Sequence, residues 1–423
     1  MADVAPDIAL LDRLLAAALA AVSADIAMPA QVPAAPPGRL TVIAAGKAAA
    51  AMMATAQRRG GPLPGLVVTA PGHVRAEHHW PGVTIVVAGH PVPDTNSVAA
   101  AEQALAIAAG LGVNDQLLVL LSGGASALLA LPVAGVTLDD KQMLTRALLQ
   151  SGATIAEINT VRRQLSRIKG GRLAAAAAPA VVTTWIISDV PGDDPALVGS
   201  GPTIADTATQ AMARAIIARH GIVPPPAVAA ALTAPQPAED RDAPDPLNRS
   251  RIIARARDAL DAAGTLARAS GYRVHDLGDD VQGLAGDVAS QQAGLALTLA
   301  ARGGQHAIIS GGETTVLVNN PAGRGGRNRE YLLALAIALD GAPGISALAC
   351  DTDGIDGNDS AAGARIGPDT LARARALGLD AGASLAGNNA GAFFAALGDL
   401  VITGPTLTNV NDLRVILIDA GRG

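Results

Sequence analysis

The chain has 423 residues, of which 50% are hydrophobic and only 1% aromatic, and it contains 47 glycines. This composition supports a large aliphatic core and excludes a wholly disordered chain. The net charge of −6 and the lack of a basic stripe give a nucleic-acid partner no electrostatic support, and the single cysteine, Cys350, excludes a disulfide framework and fits a reducing cytoplasm.

In chain order, short apolar runs alternate with longer segments rich in Ala and Leu. Strands are predicted at Leu40–Ala44, Gly65–Thr69, Thr84–Val87, Gln116–Leu121, Thr183–Ile187, His306–Ile309 and Ile345–Ala349. Helices are predicted at Ile8–Ser23, Lys47–Gln57, Asn96–Leu111, Asp139–Ser151, Ile155–Ile168, Thr207–His220, Ile252–Ser270, Gly286–Arg302 and Asn328–Asp340. This alternation predicts an α/β fold with buried, largely parallel strands.

Membrane insertion is not expected. The N-terminus carries Asp3, Asp7 and Asp12 without a basic flank, unlike a secretory signal. The uncharged stretch Leu117–Leu138 is long enough to span a bilayer, but Ser122-Gly123-Gly124 and Pro132 interrupt it. It predicts a strand, a turn and a short helix in a cytoplasmic protein.

A composition break at Pro224–Pro246 suggests the domain organisation. The stretch opens with three prolines and continues as a loose Ala/Pro/Asp sequence. It predicts a surface connector between a domain at residues 1–237 and another at residues 247–423. A long loop within one domain is the alternative.

Several predicted strands end in glycine or small polar residues. These ends are Ala44-Ala45-Gly46-Lys47, Leu121-Ser122-Gly123-Gly124-Ala125-Ser126, Ile187-Ser188-Asp189, Ile309-Ser310-Gly311-Gly312-Glu313 and Ala349-Cys350-Asp351. In doubly wound sheets, ligands lie beyond the carboxyl ends of the strands, and glycine amides close around anions. Together these ends predict an anion-binding site, although each alone is also typical of a tight turn.

Two basic motifs indicate where an anion would bind. Lys47 lies at a predicted helix N-terminus, where a cation opposes the helix dipole unless an anion is near. Gly323–Glu330 places three arginines, including Arg327, among glycines, and guanidinium groups pair with phosphate or carboxylate. The alternatives to an anion site are that Lys47 is an ordinary exposed lysine and that Gly323–Glu330 is a solvated basic loop. The denser run Arg162–Arg172 is more typical of a helix face with a glycine C-cap than of a site.

Acidic turns suggest a cation site. The loop Asp351–Asp359 does not match an EF-hand, but hard carboxylate ligands supplemented by phosphate oxygens suit Mg²⁺. Asp189, Asp193 and Asp194 form a second acidic loop, and either loop is also compatible with ordinary turns. Gly-x-Gly-x-x-Gly and Walker A motifs are absent, and the seven histidines show no metal spacing.

These segments resemble the glycerate 2-kinases that carry a MOFRL C-terminal domain. The matching segments are Ala44–Ala48, Gly89–Asn96, Leu121–Ala127, Ser151–Gly171, Ser188–Pro202, Ser310–Thr314, Gly325–Glu330, Asp351–Gly357 and Thr403–Leu413. They occur in the family's order nearly end to end. Leu407 stands where a glycine is expected, and Gly391 where an aromatic residue is usual.

The resemblance implies a larger N-terminal Rossmann-like three-layer domain and a smaller C-terminal mixed-sheet domain, with the active cleft between them. It implies phosphorylation of D-glycerate on its 2-hydroxyl by ATP with Mg²⁺, with glycerate and ATP as the small-molecule partners, and it leaves a homodimer open. Lys47 and Arg327 are then the cationic residues of the cleft, with Arg327 on the phosphoryl group or the glycerate carboxylate.

The remaining expected site residues bind oxygens, the metal or a proton. Ser122, Gly123, Gly124, Ser126, Gly311, Gly312 and Glu313 are expected to bind substrate or phosphate. Asp189, Glu313 and Asp351 are candidates for binding Mg²⁺ or accepting the hydroxyl proton, with Asp189 also placed among the catalytic residues.

Two other functions stay open at this point. An NAD(P)H-dependent hydroxypyruvate reductase is the main alternative, because family members also carry that name, but the missing glycine fingerprint argues against it. A non-catalytic binding module for sugar acids or nucleotides would suit two domains equally. Clustered aspartates beside Arg and Lys exceed what simple binding needs.

Overall fold

This computed structural model describes residues 8–34, 37–205, 207–235, 248–357 and 360–420. The helices are α1 Ile8–Ala21, α2 Ala24–Ala27, α3 Ala49–Gly60, α4 Thr95–Ala109, α5 Ala125–Leu128, α6 Leu138–Gln150, α7 Ile155–Gln164, α8 Arg172–Ala177, α9 Gln210–Arg219, α10 Pro226–Ala231, α11 Ala256–Ala269, α12 Ala285–Ala301, α13 Arg327–Leu339, α14 Thr370–Ala376, α15 Ala381–Ala386 and α16 Ala390–Leu397. The strands are β1 Leu40–Ala45, β2 Gly65–Thr69, β3 Val83–Val87, β4 Gln116–Leu121, β5 Val181–Ile187, β6 Asn248–Ala254, β7 Arg273–Asp276, β8 Gly283–Leu284, β9 Gly304–Ser310, β10 Thr314–Thr315, β11 Ile345–Asp351, β12 Gly363–Ile366, β13 Leu400–Val401 and β14 Asp412–Ala420.

The N-terminal unit, residues 27–253, is built on a six-stranded sheet of order β3-β2-β1-β4-β5-β6. The pairs from β3 to β5 are parallel, with Val42 opposite both Gly65 and Leu118. This order is that of a dinucleotide-type doubly wound sheet, in which the connection reverses direction between β1 and β4. Ligands of such sheets bind beyond the carboxyl ends of those two strands.

The core of this unit explains why its strands are continuously apolar. Alternate residues such as Ile43, Leu66 and Val119 pack with α4 and α8 on one face. The intervening residues, including Val42 and Leu118, are also wholly buried. Since both faces are covered, the strands do not alternate between polar and apolar residues, as expected for a parallel sheet.

The C-terminal unit comprises residues 1–26 and 254–423 and contains a mixed sheet of order β13-β12-β11-β14-β9-β7. β14 pairs antiparallel with β11 and β9, whereas β7 and β9 are parallel. Helices α12, α13 and α16 pack on one core of this sheet, and α1 contacts α11, β11 and β14. The predicted fold class, two α/β domains with a Rossmann-like N-terminal sheet and a mixed C-terminal sheet, is confirmed.

The predicted domain limits differ from these units. The limits 1–237 and 247–423 place α1 with the first domain, but α1 packs against α11 of the second half. β6 belongs to the N-terminal sheet, so the helix predicted at Ile252–Ser270 begins only at Ala256. Within the predicted connector, Pro226 starts α10, because proline at the first helical turn sacrifices no hydrogen bond. Residues 236–247 lie outside the described part.

The uncharged stretch near residue 117 is β4, a turn and α5, as predicted. Among the described residues, none of the helices combines the length and apolar character that crossing a bilayer requires. Cys350 is buried and forms no disulfide.

Candidate active site

Two loops meet at the carboxyl edge of the N-terminal sheet, where β1 and β4 end side by side. The Lys47 amide donates to the Gly123 carbonyl at 2.9 Å, and the Ala48 amide donates to Ser122 Oγ, also at 2.9 Å. These bonds join the loop after β1 to the loop after β4. Lys47 and the Ser122–Gly124 turn, which the sequence predicts as site residues, therefore lie together at the switch point.

The close approach of the two loops depends on Gly46. Its φ of 126° belongs to a region that other residues rarely adopt, and an added Cβ would lie 2.1 Å from Ser122 Oγ. Thr69 Oγ1 donates to the Gly46 carbonyl at 3.0 Å and fixes the turn from the side of β2. A glycine is thus required here for packing as well as for backbone conformation.

The amides available for an anion differ from those expected. The Ser122 amide donates to the Ala45 carbonyl at 3.0 Å and is therefore committed to the sheet. Among the described residues, no hydrogen bond uses the amides of Gly123 and Gly124. A Cβ on Gly124 would lie 3.1 Å from the His90 ring and 3.5 Å from Lys47 Cγ, so both side chains border this turn.

Asp189 and Ser126 lie near the same edge. Asp189 follows β5, the neighbour of β4, and is partly buried. Ser126 lies on α5, where its carbonyl and Oγ accept from Lys169 Nζ at 2.7 and 3.1 Å, and its Oγ lies 2.9 Å from the Ser200 hydroxyl. Ser126 therefore belongs to a buried polar network rather than to the Gly123–Gly124 turn itself.

In the C-terminal unit, one guanidinium gathers three carboxylates. Arg327, the first residue of α13, donates from Nε to both oxygens of Asp412 at 3.0 Å, from Nη1 to Glu313 Oε1 at 2.7 Å and from Nη2 to Asp351 Oδ2 at 2.8 Å. Asp412 is fully buried, whereas the Glu313 side chain is 47% exposed. The sequence-predicted residues Arg327, Glu313 and Asp351 are thus brought together.

This cluster sets the charge state of Arg327. Burial alone would lower the pKa of its guanidinium, but Asp412, Asp351 and Glu313 outweigh burial and hold the pKa above its ordinary value. Acidic side chains compensate the charge of the arginine. The expected contact of Arg327 with a phosphoryl group or with the glycerate carboxylate stays a prediction.

The turn Gly311-Gly312 also differs from an anion cradle. The Gly311 amide donates to the Gly278 carbonyl at 2.9 Å, and its own carbonyl accepts from Arg414 Nη1 at 2.7 Å. Arg414 Nη2 in turn donates to Asp412 Oδ2 at 2.8 Å. The turn therefore accepts a hydrogen bond from the wholly buried Arg414, which also donates to Asp412.

Arg329, another arginine of the basic motif Gly323–Glu330, has a structural role. Arg329 is fully buried, and its Nε donates to Asp356 Oδ2 at 3.0 Å. The carboxylate of Asp356 also accepts the backbone amides of Asn328 and Arg329, at 3.1 Å each. Asp356 thus caps the N-terminus of α13, which satisfies amides that lack an intrahelical partner.

Comparisons with known proteins identify the family of the chain. Residues 10–233 match a family model described as "Domain of unknown function (DUF4147)", and residues 306–412 match the MOFRL family. A D-glycerate 2-kinase of Thermotoga maritima is 37% identical over 90% of this chain and 91% of its own length. The chain belongs to the glycerate 2-kinase family.

Two further comparisons agree with this membership, and one of them is with a protein that carries a different functional name. The crystal structure of a Thermotoga maritima glycerate kinase superposes with a TM-score of 0.86 at 35% identity, covering 97% of this chain and 99% of that one. An Agrobacterium vitis protein that carries the provisional name hydroxypyruvate reductase is 48% identical over 96% of this chain and 94% of its own length. The family predicted from the sequence is confirmed.

The sequence predicts a Mg²⁺ site among acidic residues. Among the described residues, no group of three His, Cys, Asp or Glu side chains is arranged as a metal site. Mg²⁺ in phosphate-transferring sites usually takes one or two carboxylates, together with phosphate oxygens and water. Glu313, half-exposed and held by Arg327, offers the hard oxygen donors that fit such an ion.

Sequence reasoning missed Asp412 and Arg414. Both belong to β14, which was not predicted as a strand although Val415–Ile418 is an apolar run of β-branched residues and leucine. A strand prediction there would have placed Asp412 at the strand end. Asp412 lies 85 residues from Arg327 in the sequence, and no local sequence pattern predicts a contact between such distant residues.

The Arg162–Arg172 run differs in part from the predicted helix with a glycine C-cap. α7 ends at Gln164 rather than Ile168, and Gly171 precedes α8 with a φ of 84° rather than capping α7. The segment between the helices instead carries the buried Lys169 to the Ser126 network.

Proposed function

We propose that the protein transfers the γ-phosphoryl group of ATP to the 2-hydroxyl of D-glycerate, with Mg²⁺, to give 2-phosphoglycerate and ADP. Its membership of the glycerate 2-kinase family makes it a kinase. The observation that carries the proposal is that the Lys47 side chain borders the Gly123–Gly124 turn, whose amides make no hydrogen bond among the described residues, at the switch point of a doubly wound sheet.

The N-terminal unit supplies positive charge and amide donors. Phosphoryl transfer depends on positioning and on neutralising charge at the phosphoryl oxygens. Lys47 supplies a cation, and the amides of Gly123 and Gly124 supply fixed donors that need no reorganisation during the reaction. We assign both to the transferring phosphoryl group.

The C-terminal unit supplies negative charge held in place. Arg327 fixes Glu313 and Asp351, and Glu313 and Asp351 would hold Mg²⁺. When bound, Mg²⁺ supplies charge neutralisation at phosphate oxygens. Arg327 is then a positioning residue, because it acts through these carboxylates.

The transfer breaks the bond between the γ-phosphorus and the bridging oxygen of ATP, and forms a bond from phosphorus to the 2-oxygen of glycerate. The hydroxyl proton must leave, and we assign Asp189, at the edge of the same sheet as Lys47, to accept it. An alcohol is far less acidic than a carboxylic acid, so this transfer occurs late and contributes about 10²-fold.

Product analysis tests this proposal. Purified protein, ATP, Mg²⁺ and D-glycerate are coupled through enolase without a mutase, so that only the 2-phosphate gives a signal. The signal should require all three additions. ATP consumption without the enolase signal would contradict the 2-hydroxyl assignment, and no glycerate-dependent ATP consumption would contradict the kinase itself.

The reductase alternative is favoured only by the name of the Agrobacterium vitis relative. The turn after β1 reads Ala45-Gly46-Lys47 and lacks the glycine spacing that admits a dinucleotide pyrophosphate. NADH and hydroxypyruvate without ATP should give no loss of nicotinamide absorbance. A loss that requires the protein would favour the reductase.

A further inference from the structure

A cavity of about 360 Å³ lies within the N-terminal unit, beside α6 and α7. Its volume falls in the range of about 300–1,000 Å³ typical of small-molecule sites. Four cations line it, and no carboxylate does. They are Arg146, Lys141, Arg162 and Lys169.

Lys141 is the decisive residue. Only 7% of its surface is exposed to solvent. Within the described chain, its ammonium has no hydrogen-bond partner. A buried ammonium without a counter-charge is costly, and proteins retain one where a ligand or function compensates it. Arg146 and Arg162 likewise make no hydrogen bond or ion pair with the described residues.

The ammonium of Lys169 contacts only uncharged acceptors among the described residues. Its ammonium donates to Ser126 O, Ser126 Oγ and Gly199 O, at 2.7, 3.1 and 3.4 Å. All three acceptors are uncharged, so the positive charge of Lys169 also lacks compensation. It adds to the positive potential at one side of the cavity.

The walls indicate the size and class of the ligand. Pro91, Val92, Pro93, Ala130, Leu138 and Leu149 form the apolar part of the lining. Aromatic rings are missing from the described lining, so a nucleotide base would find nothing to stack on. The cations instead suit a compact ligand of high negative charge.

We propose that this cavity binds a small phosphorylated carboxylic acid, whose phosphate and carboxylate together neutralise the four cations. A phosphate carries a charge of about −1.5 to −2 at pH 7, and a carboxylate adds one more. The proposal does not depend on the proposed reaction, because the cavity is defined by its own residues. Ser126 links it to α5, which directly follows the Gly123–Gly124 turn.

Binding to this cavity should depend on pH through Lys141. Burial, followed by the charges of Arg162 and Arg172, lowers the pKa of Lys141 to about 7. Burial, followed by the charges of Arg162, Lys141 and Arg163, also lowers the pKa of Lys169. Arg146 is a further charged group of the lining. A bound anion favours the ammonium, so affinity should fall above pH 7, by up to about tenfold per pH unit.

Isothermal titration of the full chain tests the proposal, with 2-phosphoglycerate, inorganic phosphate, D-glycerate and ATP as separate titrants. 2-Phosphoglycerate should bind at least tenfold more tightly than phosphate or glycerate. Lys141→Met should weaken this binding at least tenfold and reduce its pH dependence. Arg167→Met, which removes an exposed cation outside the cavity lining, should leave binding unchanged.

Further variants separate this cavity from the candidate active site. Lys47→Ala should retain the binding that depends on Lys141, and Arg162→Met should weaken it if Lys141→Met does not fold. Binding lost in Lys47→Ala but kept in Lys141→Met would overturn the proposal. Equally tight binding of inorganic phosphate and 2-phosphoglycerate to the Lys47→Ala variant would also overturn it. Since turnover is not measured, failure of the kinase assay would leave this result unaffected.

Discussion

The amide of Lys47 lies 2.9 Å from the carbonyl of Gly123, and this bond ties the turn after β1 to the turn after β4. Only at this point of the sheet do consecutive connections leave in opposite directions, which opens space for a ligand. The bond leaves the Lys47 side chain beside Gly124, where an anion would meet both an ammonium and free amides.

Gly46→Ala tests the packing of the two turns. The new methyl group would collide with Ser122 in a strained backbone, so the free energy of unfolding should fall by about 2–4 kcal/mol. Gly61→Ala is the matched control, because Gly61 has a φ of 79° and nothing lies within 4 Å of its added Cβ. It should lose only about 1 kcal/mol. Chemical denaturation measures both, and equal losses would refute the clash.

Arg327→Met tests the positioning of the carboxylates. Without the guanidinium, Glu313 and Asp351 lose their partner, so turnover should fall by about 10²-fold and the Mg²⁺ concentration for half-maximal activity should rise. Arg324→Met, an exposed arginine of the same loop, is the control and should change neither. A raised KM for glycerate at unchanged Mg²⁺ dependence would instead indicate direct substrate binding by Arg327.

Asp356→Ala tests the cap of α13. It leaves Arg329 buried without its carboxylate and removes the acceptor of two helix amides, so unfolding should become easier by about 3–5 kcal/mol. Adding Arg329→Met should recover part of this loss, because the unpaired charge is then gone. Denaturation of the single and double variants gives the coupling, and strictly additive losses would contradict the pairing.

Lys141→Met should stabilise the protein in the absence of ligand. The folded pKa of Lys141, about 7, lies below its unfolded value near 10.4, so the unfolded chain binds more protons between these limits. Wild-type stability therefore rises with pH across this window, and that of the methionine variant rises less steeply because Lys169, whose pKa burial also lowers, still titrates there. The gain should be a few kcal/mol at pH 7 and should shrink towards pH 10. A constant gain would show that Lys141 is not the titrating group.

Strands β1 to β5 of the N-terminal sheet could be predicted because each is a largely apolar run followed by small residues, whereas β6 begins with four polar residues and was missed. β4 and the turn Ser122–Gly124 show this best, since the run and the turn are local in sequence. β14 was missed in spite of its own apolar run, and with it the aspartate that anchors Arg327. The short strands β7, β8, β10, β12 and β13 are at most four residues long and carry too little pattern.

The site residues divide in the same way. Lys47 and Gly124 were predicted because the switch point brings strand ends together by rule. The ion pairs of Arg327 could not be predicted, because its three carboxylates come from distant segments. Leu407, where the family pattern has glycine, adopts a φ of 60°, which explains why glycine is usual there.

The turnover of Lys47→Met in the enolase-coupled assay tests the central claim most directly. Arg75→Met, at an exposed position outside the site, is the control for loss of one positive charge. We expect kcat/KM for D-glycerate to fall by about 10²–10³-fold in Lys47→Met and to stay unchanged in Arg75→Met. A correctly folded Lys47→Met variant with wild-type turnover would show that the phosphoryl group is transferred elsewhere.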